Sequence, residues 1–462
     1  MVNVVTSLSR ITIMAFVMLF AIVDIVFLFD RKIKEGLQSI LLTIQAVMIV
    51  LFMINGAVVL YLNTQDFLII LLTAGELLLY LFISIVLNKI CIPTSKPLIN
   101  NVLMLLSFSF ITLERLKIAS ACRQFAFAII SLIIASAVVY FLENFGRVTE
   151  YATVYLVIGL LLLLIVSVAG SVQYGAKLSL SFGNISVQPS EFVKITFLFF
   201  MGAVIAKYRD VKGFLIASVG AALHVLILVI SKDLGTGLIF LVAYVFLIFI
   251  SYKNYIVLFT ELGVAAVGAT LAYNMFPHIQ TRFIAWSDPL SVIDDQGYQI
   301  SQSLFAIGTG GWIGSGLCNG MPTKIPVVTK DFIFAAISEE MGAIVGLCLI
   351  VIVLCTFFMI FNAAYDLNNS FYMLVINGIG IIFATQALLN IGGVIKFIPS
   401  TGVTLPFVSY GGSSLLSMFI CIFIIEAAED FSISIEKENR KREIRTRKKE
   451  NRTRYEKTRR YE

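Results

Sequence analysis

The 462-residue chain is 59% hydrophobic and 13% charged, with a formal net charge of +6. That balance excludes a disordered or ordinary soluble protein and reads as an integral membrane protein. Two histidines, and six cysteines without C-x-x-C or His-paired ligand spacing, speak against a His-based metal site or a Ser-His-Asp triad, so acid–base chemistry falls to carboxylates.

Apolar runs long enough to cross about 30 Å of hydrocarbon as helices are expected at 11–29, 39–61, 67–88, 101–116, 125–142, 151–170, 190–206, 213–230, 234–250, 254–275, 332–361, 371–391 and 411–428, about thirteen in all. The alternating pattern of barrel strands is missing. The run at 101–116 is short and ends in charge. Basic residues and further spans follow the first run, which is therefore expected to be an anchor rather than a cleaved signal peptide. With no visible internal repeat, an inverted-repeat transporter gains no support.

Lys and Arg in short loops set the expected orientation. The clusters "DRKIKEG", "NKICIPTSKP", "KYRDVKG" and "SYKN" share one side if the N-terminus is outside, while "ERLKIASACRQ" dissents. Residues 436–462 carry 13 Lys/Arg against 6 Glu, a net +7, and join the cytoplasmic side. Such a tail is drawn to anionic lipid at roughly 1 kcal/mol per residue. A scaffold-docking role is the alternative, and no groove-reading pattern points to nucleic acid. The polar stretches 276–331, 392–410 and 171–189 then fall outside, where the chemistry is expected.

Within "TKDFIFAAISEEMGAIVG", Asp331 is expected at a helix start, either as a cap or as a working acid. Glu339 lies eight residues on, about 12 Å deeper and roughly 80° round a helix. A carboxylate there, like its neighbour Glu340, is costly unless paired or facing water, so both read as functional or cavity-lining. In "QPSEFVK", Pro189 suits a helix start, and Glu191 and Lys194 lie three apart on one face, able to pair. Asp233 of "SKDLGTG" opens a further helix. The Gly-, Pro- and Ser-rich stretch 392–414 reads as a re-entrant loop, because irregular backbone at membrane depth must be buried in protein or line a wet cavity.

In order, "VQPSEFVK", "DLGTG", "GYQISQSLFAIGTGGWIGSGL", "DFIFAAISEEMG" and "PSTGVTLPFVSYGGSS" resemble the SEDS family (shape, elongation, division and sporulation), which includes RodA, FtsW and SpoVE. The resemblance covers residues 101–428. It implies an all-α polytopic membrane protein with a ten-helix core and a large extracellular loop at 276–331. About three extra helices in 1–95 precede that core, and a basic tail at 429–462 follows it. It further implies a peptidoglycan glycosyltransferase that polymerises lipid II, working with a class B penicillin-binding protein as transpeptidase. Neither His of this chain has a triad context for acyl transfer, so cross-linking falls to another protein.

On that resemblance Asp331 is the essential acid, and Glu191 and Lys194 form a cavity ion pair. Transfer from a sugar pyrophosphoryl-lipid to a hydroxyl needs one general base, plus cations for the leaving diphosphate. Lys194, Arg282, Lys324, Lys330 and Lys396 are candidates on charge, with Asp233, Glu339 and Ser409 as candidate supporting residues. A divalent cation, Mg2+ or Mn2+, is the one cofactor the chemistry leaves room for. The chain departs from the family at "IPVVTKD", where relatives carry an acid and a His before the Asp, and it lacks the usual Arg-Trp pair ahead of "QPSE". A flippase of lipid-linked precursor and a non-catalytic scaffold are the rival readings, and the helices in 1–95 have no role legible in sequence.

Overall fold

The computed structural model describes residues 2–29, 34–90, 96–144, 148–173, 176–182, 185–365 and 367–428. The chain opens with helices α1 (Val2–Phe29), α2 (Glu35–Thr64), α3 (Phe67–Ile90), α4 (Lys96–Leu116), α5 (Ile118–Asn144) and α6 (Ala152–Ala169). Three short antiparallel strands follow, β1 (Ser171–Gln173), β2 (Ala176–Phe182) and β3 (Ile185–Val187), in the order β1-β2-β3. They fill the polar stretch at 171–189 and are the one departure from an all-helical chain among the described residues. Helices α7 (Pro189–Lys207), α8 (Val211–Ile230), α9 (Leu234–Tyr252) and α10 (Tyr255–Met275) come next. The loop expected at 276–331 contains two helices, α11 (Pro277–Ser287) and α12 (Tyr298–Gly310). It leads into α13 (Ile333–Met341), α14 (Ala343–Tyr365) and α15 (Ser370–Val394). The last described helix, α16, spans 412–428. The basic tail lies outside the described residues.

Among the described residues twelve helices are long and apolar enough to cross a membrane, and α16 is a shorter apolar one. The chain is thus a multi-pass membrane protein. Helix starts follow from local chemistry. Pro189 occupies the first turn of α7, where its missing N–H is no loss. Asp210, Asn254 and Asn369 accept backbone N–H bonds at the starts of α8, α10 and α15. Helices α4 and α15 are buried along most of their length, whereas α10 buries none of its residues.

The span expected at 332–361 is two helices. Gly342 takes φ 95 between α13 and α14, and a Cβ there would lie 2.4 Å from Gly314 N. Only glycine fits such a close approach at positive φ. Asp331 is not the cap of this segment either. The helix begins at Ile333, with Phe332 in the cap position and no side-chain capping bond, so the carboxylate is left for other work.

The first three helices are packed onto the rest. Helix α1 lies against α2 and α14, and α2 against α4. A buried polar knot joins them. Asp24 accepts from Asn101 Nδ2 at 2.9 Å and from Gln45 Nε2 at 3.3 Å, and Asn101 Nδ2 also reaches Thr356 Oγ1 at 3.2 Å. Polar groups inside a membrane bundle persist where they satisfy one another across helices.

Candidate active site

The starts of α7 and α9, helices α11 and α12, and the irregular chain after α15 meet at one end of the bundle around a cavity of about 430 Å³. Glu191, Asp233, Arg282 and Asp331 all line it, with the backbone of 400–404 as one wall. Local chemistry places each. Asp233 caps α9, accepting from Thr236 N at 3.2 Å and from Ser190 Oγ at 3.3 Å. Arg282 donates from Nη1 to Ser400 O at 3.1 Å, tying α11 to the wall. Asn390 Nδ2 bonds the Asp331 and Val403 carbonyls at 3.0 and 2.7 Å, fixing the acid's backbone against the same wall.

Gly402 shows how close two charged groups of the cavity come. A Cβ built on it would lie 3.7 Å from both Arg282 Nη2 and Asp331 Oδ2, so guanidinium and carboxylate converge over that bare backbone. Burial pushes the Asp331 carboxyl above its ordinary value, while Lys330 and Arg282 pull it back down. Burial likewise raises Asp233. It pulls Arg282 down, against the supporting charges of Asp331 and Asp233. A carboxyl that is held toward its protonated form yet faces a cation can exchange protons with a substrate hydroxyl.

Beneath the cavity, Glu191 Oε2 and Lys194 Nζ stand 2.6 Å apart. Glu191 also accepts from Ser417 Oγ at 2.9 Å, and Lys194 donates to Gln386 Oε1 at 2.8 Å. Gln386 Nε2 passes the network on to Thr404 O at 3.0 Å in the cavity wall. A buried ion pair with its remaining bonds satisfied is the arrangement that offsets desolvation.

Other expected residues lie off the cavity. Lys194 sits below it, and Lys324, Lys330, Lys396, Glu339 and Ser409 do not line it. Lys396 takes φ 60, and its carbonyl accepts from Trp286 Nε1 at 3.2 Å. Ser409 is a pin, accepting from Leu405 N and donating to the Lys330 carbonyl. Glu339 and Glu340 are bonded to the preceding loop and to α4. Glu339 Oε1 accepts from Met321 N at 2.8 Å, and Glu340 pairs with Arg115 at 2.9 Å. Gln386, Ser417 and Lys232, the last a second cation lining the cavity, went unread in sequence. Adjacency to Asp233 was the one available signal, for Lys232.

A second hollow of about 900 Å³ opens beside the first, between α9, α10, α14 and α15. Its walls are apolar, with Phe246, Phe283, Phe361 and Leu388 among them. Arg282 is the ionisable residue in its lining, at the mouth where it shares Leu234, Ser400 and Thr401 with the polar cavity. Among the described residues no group of three or more His, Cys, Asp or Glu is placed to hold a metal. A Mg2+ or Mn2+ here would take most of its ligands from substrate oxygens and water.

The family model described as "Cell cycle protein", FtsW/RodA/SpoVE, matches residues 91–433. The chain belongs to the FtsW/RodA/SpoVE family. Within that family it is 32% identical over 368 residues to the peptidoglycan glycosyltransferase RodA of Mycobacterium tuberculosis H37Rv, covering 72% of this chain and 77% of the relative. It is 33% identical over 310 residues to the probable peptidoglycan glycosyltransferase FtsW of Wigglesworthia glossinidia brevipalpis, covering 63% and 79%. The fold is shared with a solved peptidoglycan synthase complex described as coordinating polymerization and crosslinking, at TM-score 0.61 and 22% identity over 72% of this chain and 97% of that one. Thermus thermophilus RodA has TM-score 0.53 at 20% identity, with 72% and 96% covered. Helices α1 to α3 precede the residues this FtsW/RodA/SpoVE model matches.

Proposed function

We propose that the chain is a peptidoglycan glycosyltransferase that polymerises lipid II at the outer face of the plasma membrane. The observation that carries this reading is the junction at Arg282, where an acid-lined polar cavity meets an apolar groove. A sugar joined through diphosphate to a long lipid has those two characters and one junction. The chain portion lies in the groove, the diphosphate at Arg282 with Lys232 nearby, and the sugars in the cavity.

The acceptor hydroxyl attacks the anomeric carbon of the donor sugar. Asp331 takes the hydroxyl proton as the new C–O bond forms. The bond from that carbon to the phosphate oxygen breaks, and the lipid diphosphate leaves with the electron pair, its charge met by Arg282. The Glu191–Lys194 pair holds the floor through Gln386 and Thr404.

The groove weighs against a flippase. A polar headgroup crossing the bilayer along it would meet a wall without charge beyond Arg282, whereas translocation paths keep polar groups at midplane. With the N-terminus outside and the basic tail in the cytoplasm, as Lys and Arg in the short loops favour, the cavity falls on the outer side. Cross-linking then belongs to a class B penicillin-binding protein as partner.

Purified full-length chain in vesicles, supplied with lipid II, is expected to make glycan strands. Asp331→Asn is expected to lose about 10²–10⁴ in rate, the range for a general base. Strand synthesis by Asp331→Asn at the unmodified rate would remove the acid from the chemistry.

A further inference from the structure

We propose that Arg10, on a helix that precedes the family-matched residues, is a positioning residue for the site. The inference rests on the reading of Asp331 as the base. Helix α13 starts two residues after Asp331, so whatever holds α13 holds the acid. The loop 311–321 is strapped to the last turn of α13, the far end of a short helix from Asp331. Ser315 N and Oγ both donate to Glu339 O at 2.9 Å, and Gly316 N donates to Glu340 O at 2.9 Å. Arg115, paired with Glu340, also reaches Gly320 O at 3.3 Å. Loop and helix are thereby one unit.

Helix α1 grips that unit. Arg10 Nη1 donates to Gly314 O at 3.2 Å. Its Cδ and the Thr6 methyl lie over Gly316, where a Cβ would sit 3.1 and 3.3 Å from them. Gly314 and Gly316 take φ 80 and 99, so the loop turns a bare backbone toward α1 where a side chain would hold it off. Helix α1 packs on α13 as well. Farther along, Asp24 fastens α1 to Asn101 of α4, so the grip is anchored in the bundle centre. Arg10 touches no residue lining the cavity among its described hydrogen bonds. It acts through loop 311–321 and α13 on the placement of Asp331.

The test uses the full-length chain in vesicles with lipid II. Amide hydrogen exchange at 311–321 and 331–341 is followed beside kcat, KM and the unfolding midpoint. Arg10→Ala is expected to speed exchange in both segments severalfold and to lower kcat about tenfold with KM held, since a displacement of about 1 Å costs as much as 10²-fold. Arg10→Lys, which keeps a donor, is expected to restore most of kcat. Unchanged exchange, an unchanged kcat, a loss tracking a fall in the unfolding midpoint, or an Arg10→Lys no better than Arg10→Ala each overturns the proposal. The exchange readout does not depend on Asp331. Full activity of Asp331→Asn would therefore sink the base assignment while leaving the grip itself measurable.

Discussion

Lys194 Nζ lies 2.6 Å from Glu191 Oε2, one turn along α7, with 3% and 8% of the two side chains exposed. At such burial the pair is worth less than its separation costs. Removing either partner strands a buried charge, at about 3–5 kcal/mol, while Glu191→Gln with Lys194→Met together is milder. Thermal unfolding of the four proteins in detergent gives the coupling, expected within about 0.5–3 kcal/mol. Additive single effects would show that the pair does not act together.

Asp331, if it is the base, is expected to set the acid limb of the rate. Its carboxyl is raised by burial and must be deprotonated to take a proton, so kcat/KM is expected to climb with pH through a value above the ordinary carboxylate range. Because the folded state holds that proton more tightly, the group's contribution to stability falls as pH rises from the unfolded to the folded pKa. Arg282→Gln removes a charge that favours the carboxylate and should move the limb to higher pH. A limb that stays in place would separate the two residues.

Arg282 does two things that can be split. Arg282→Ala loses both the charge at the groove mouth and the bond to Ser400 O, and is expected to cost about 10²–10³ in turnover, as for removal of a positioned electrostatic donor. Arg282→Lys keeps charge without the planar fork and should recover part of it. Steady-state rates on lipid II report this, and equal rates for Lys and Ala would show that charge is not what matters.

Two glycines in neighbouring segments are expected to answer oppositely. At Gly314, φ is 80 and a Cβ would lie 2.4 Å from Glu340 O, so Gly314→Ala should destabilise by more than about 1 kcal/mol. Gly308, inside α12, has nothing within 4 Å of such a Cβ, and Gly308→Ala should be neutral or stabilising by about 0.4–1 kcal/mol. Unfolding midpoints in detergent distinguish them.

A transpeptidase partner is testable by co-expression. Gentle extraction should recover a one-to-one complex with a class B penicillin-binding protein, and adding it should raise the polymerisation rate by favouring one of two states. Neither recovery nor stimulation would leave the chain a polymerase that works alone.

Hydropathy made the spans legible because each helix must bury or face hydrocarbon, and Pro189 and Asp233 announced their helix starts because caps are local. What stayed hidden depended on the third dimension. The break at Gly342 lies between two apolar runs that read as one span, and the backbone angle of that glycine marks the turn. Lys324, Lys330 and Lys396 were candidates for charge alone, and charge says nothing about which way a loop carries it. Gln386 is uncharged within an apolar helix, so its place under Lys194 could not be foreseen. Glu339 and Glu340 read as functional or cavity-lining because their partners, Met321 N in a loop 18 residues back and Arg115 on a helix 225 residues back, show no pairing pattern in sequence.

The knot around Asp24 also carries a schedule. Asn101, which bonds that acid, and Thr356, which bonds Asn101 in turn, enter the chain later. At about 5–20 residues per second, a ribosome reaches Thr356 roughly 17–66 s after Asp24 has been made. Until then α1 lacks its packing against α14, and the knot around Asp24 lacks Thr356. A nascent chain truncated before α14 therefore keeps α1 the less secured. Completion of the last third is what locks the first, so that half-made copies present an unsettled N-terminus to whatever inspects membrane proteins during their birth.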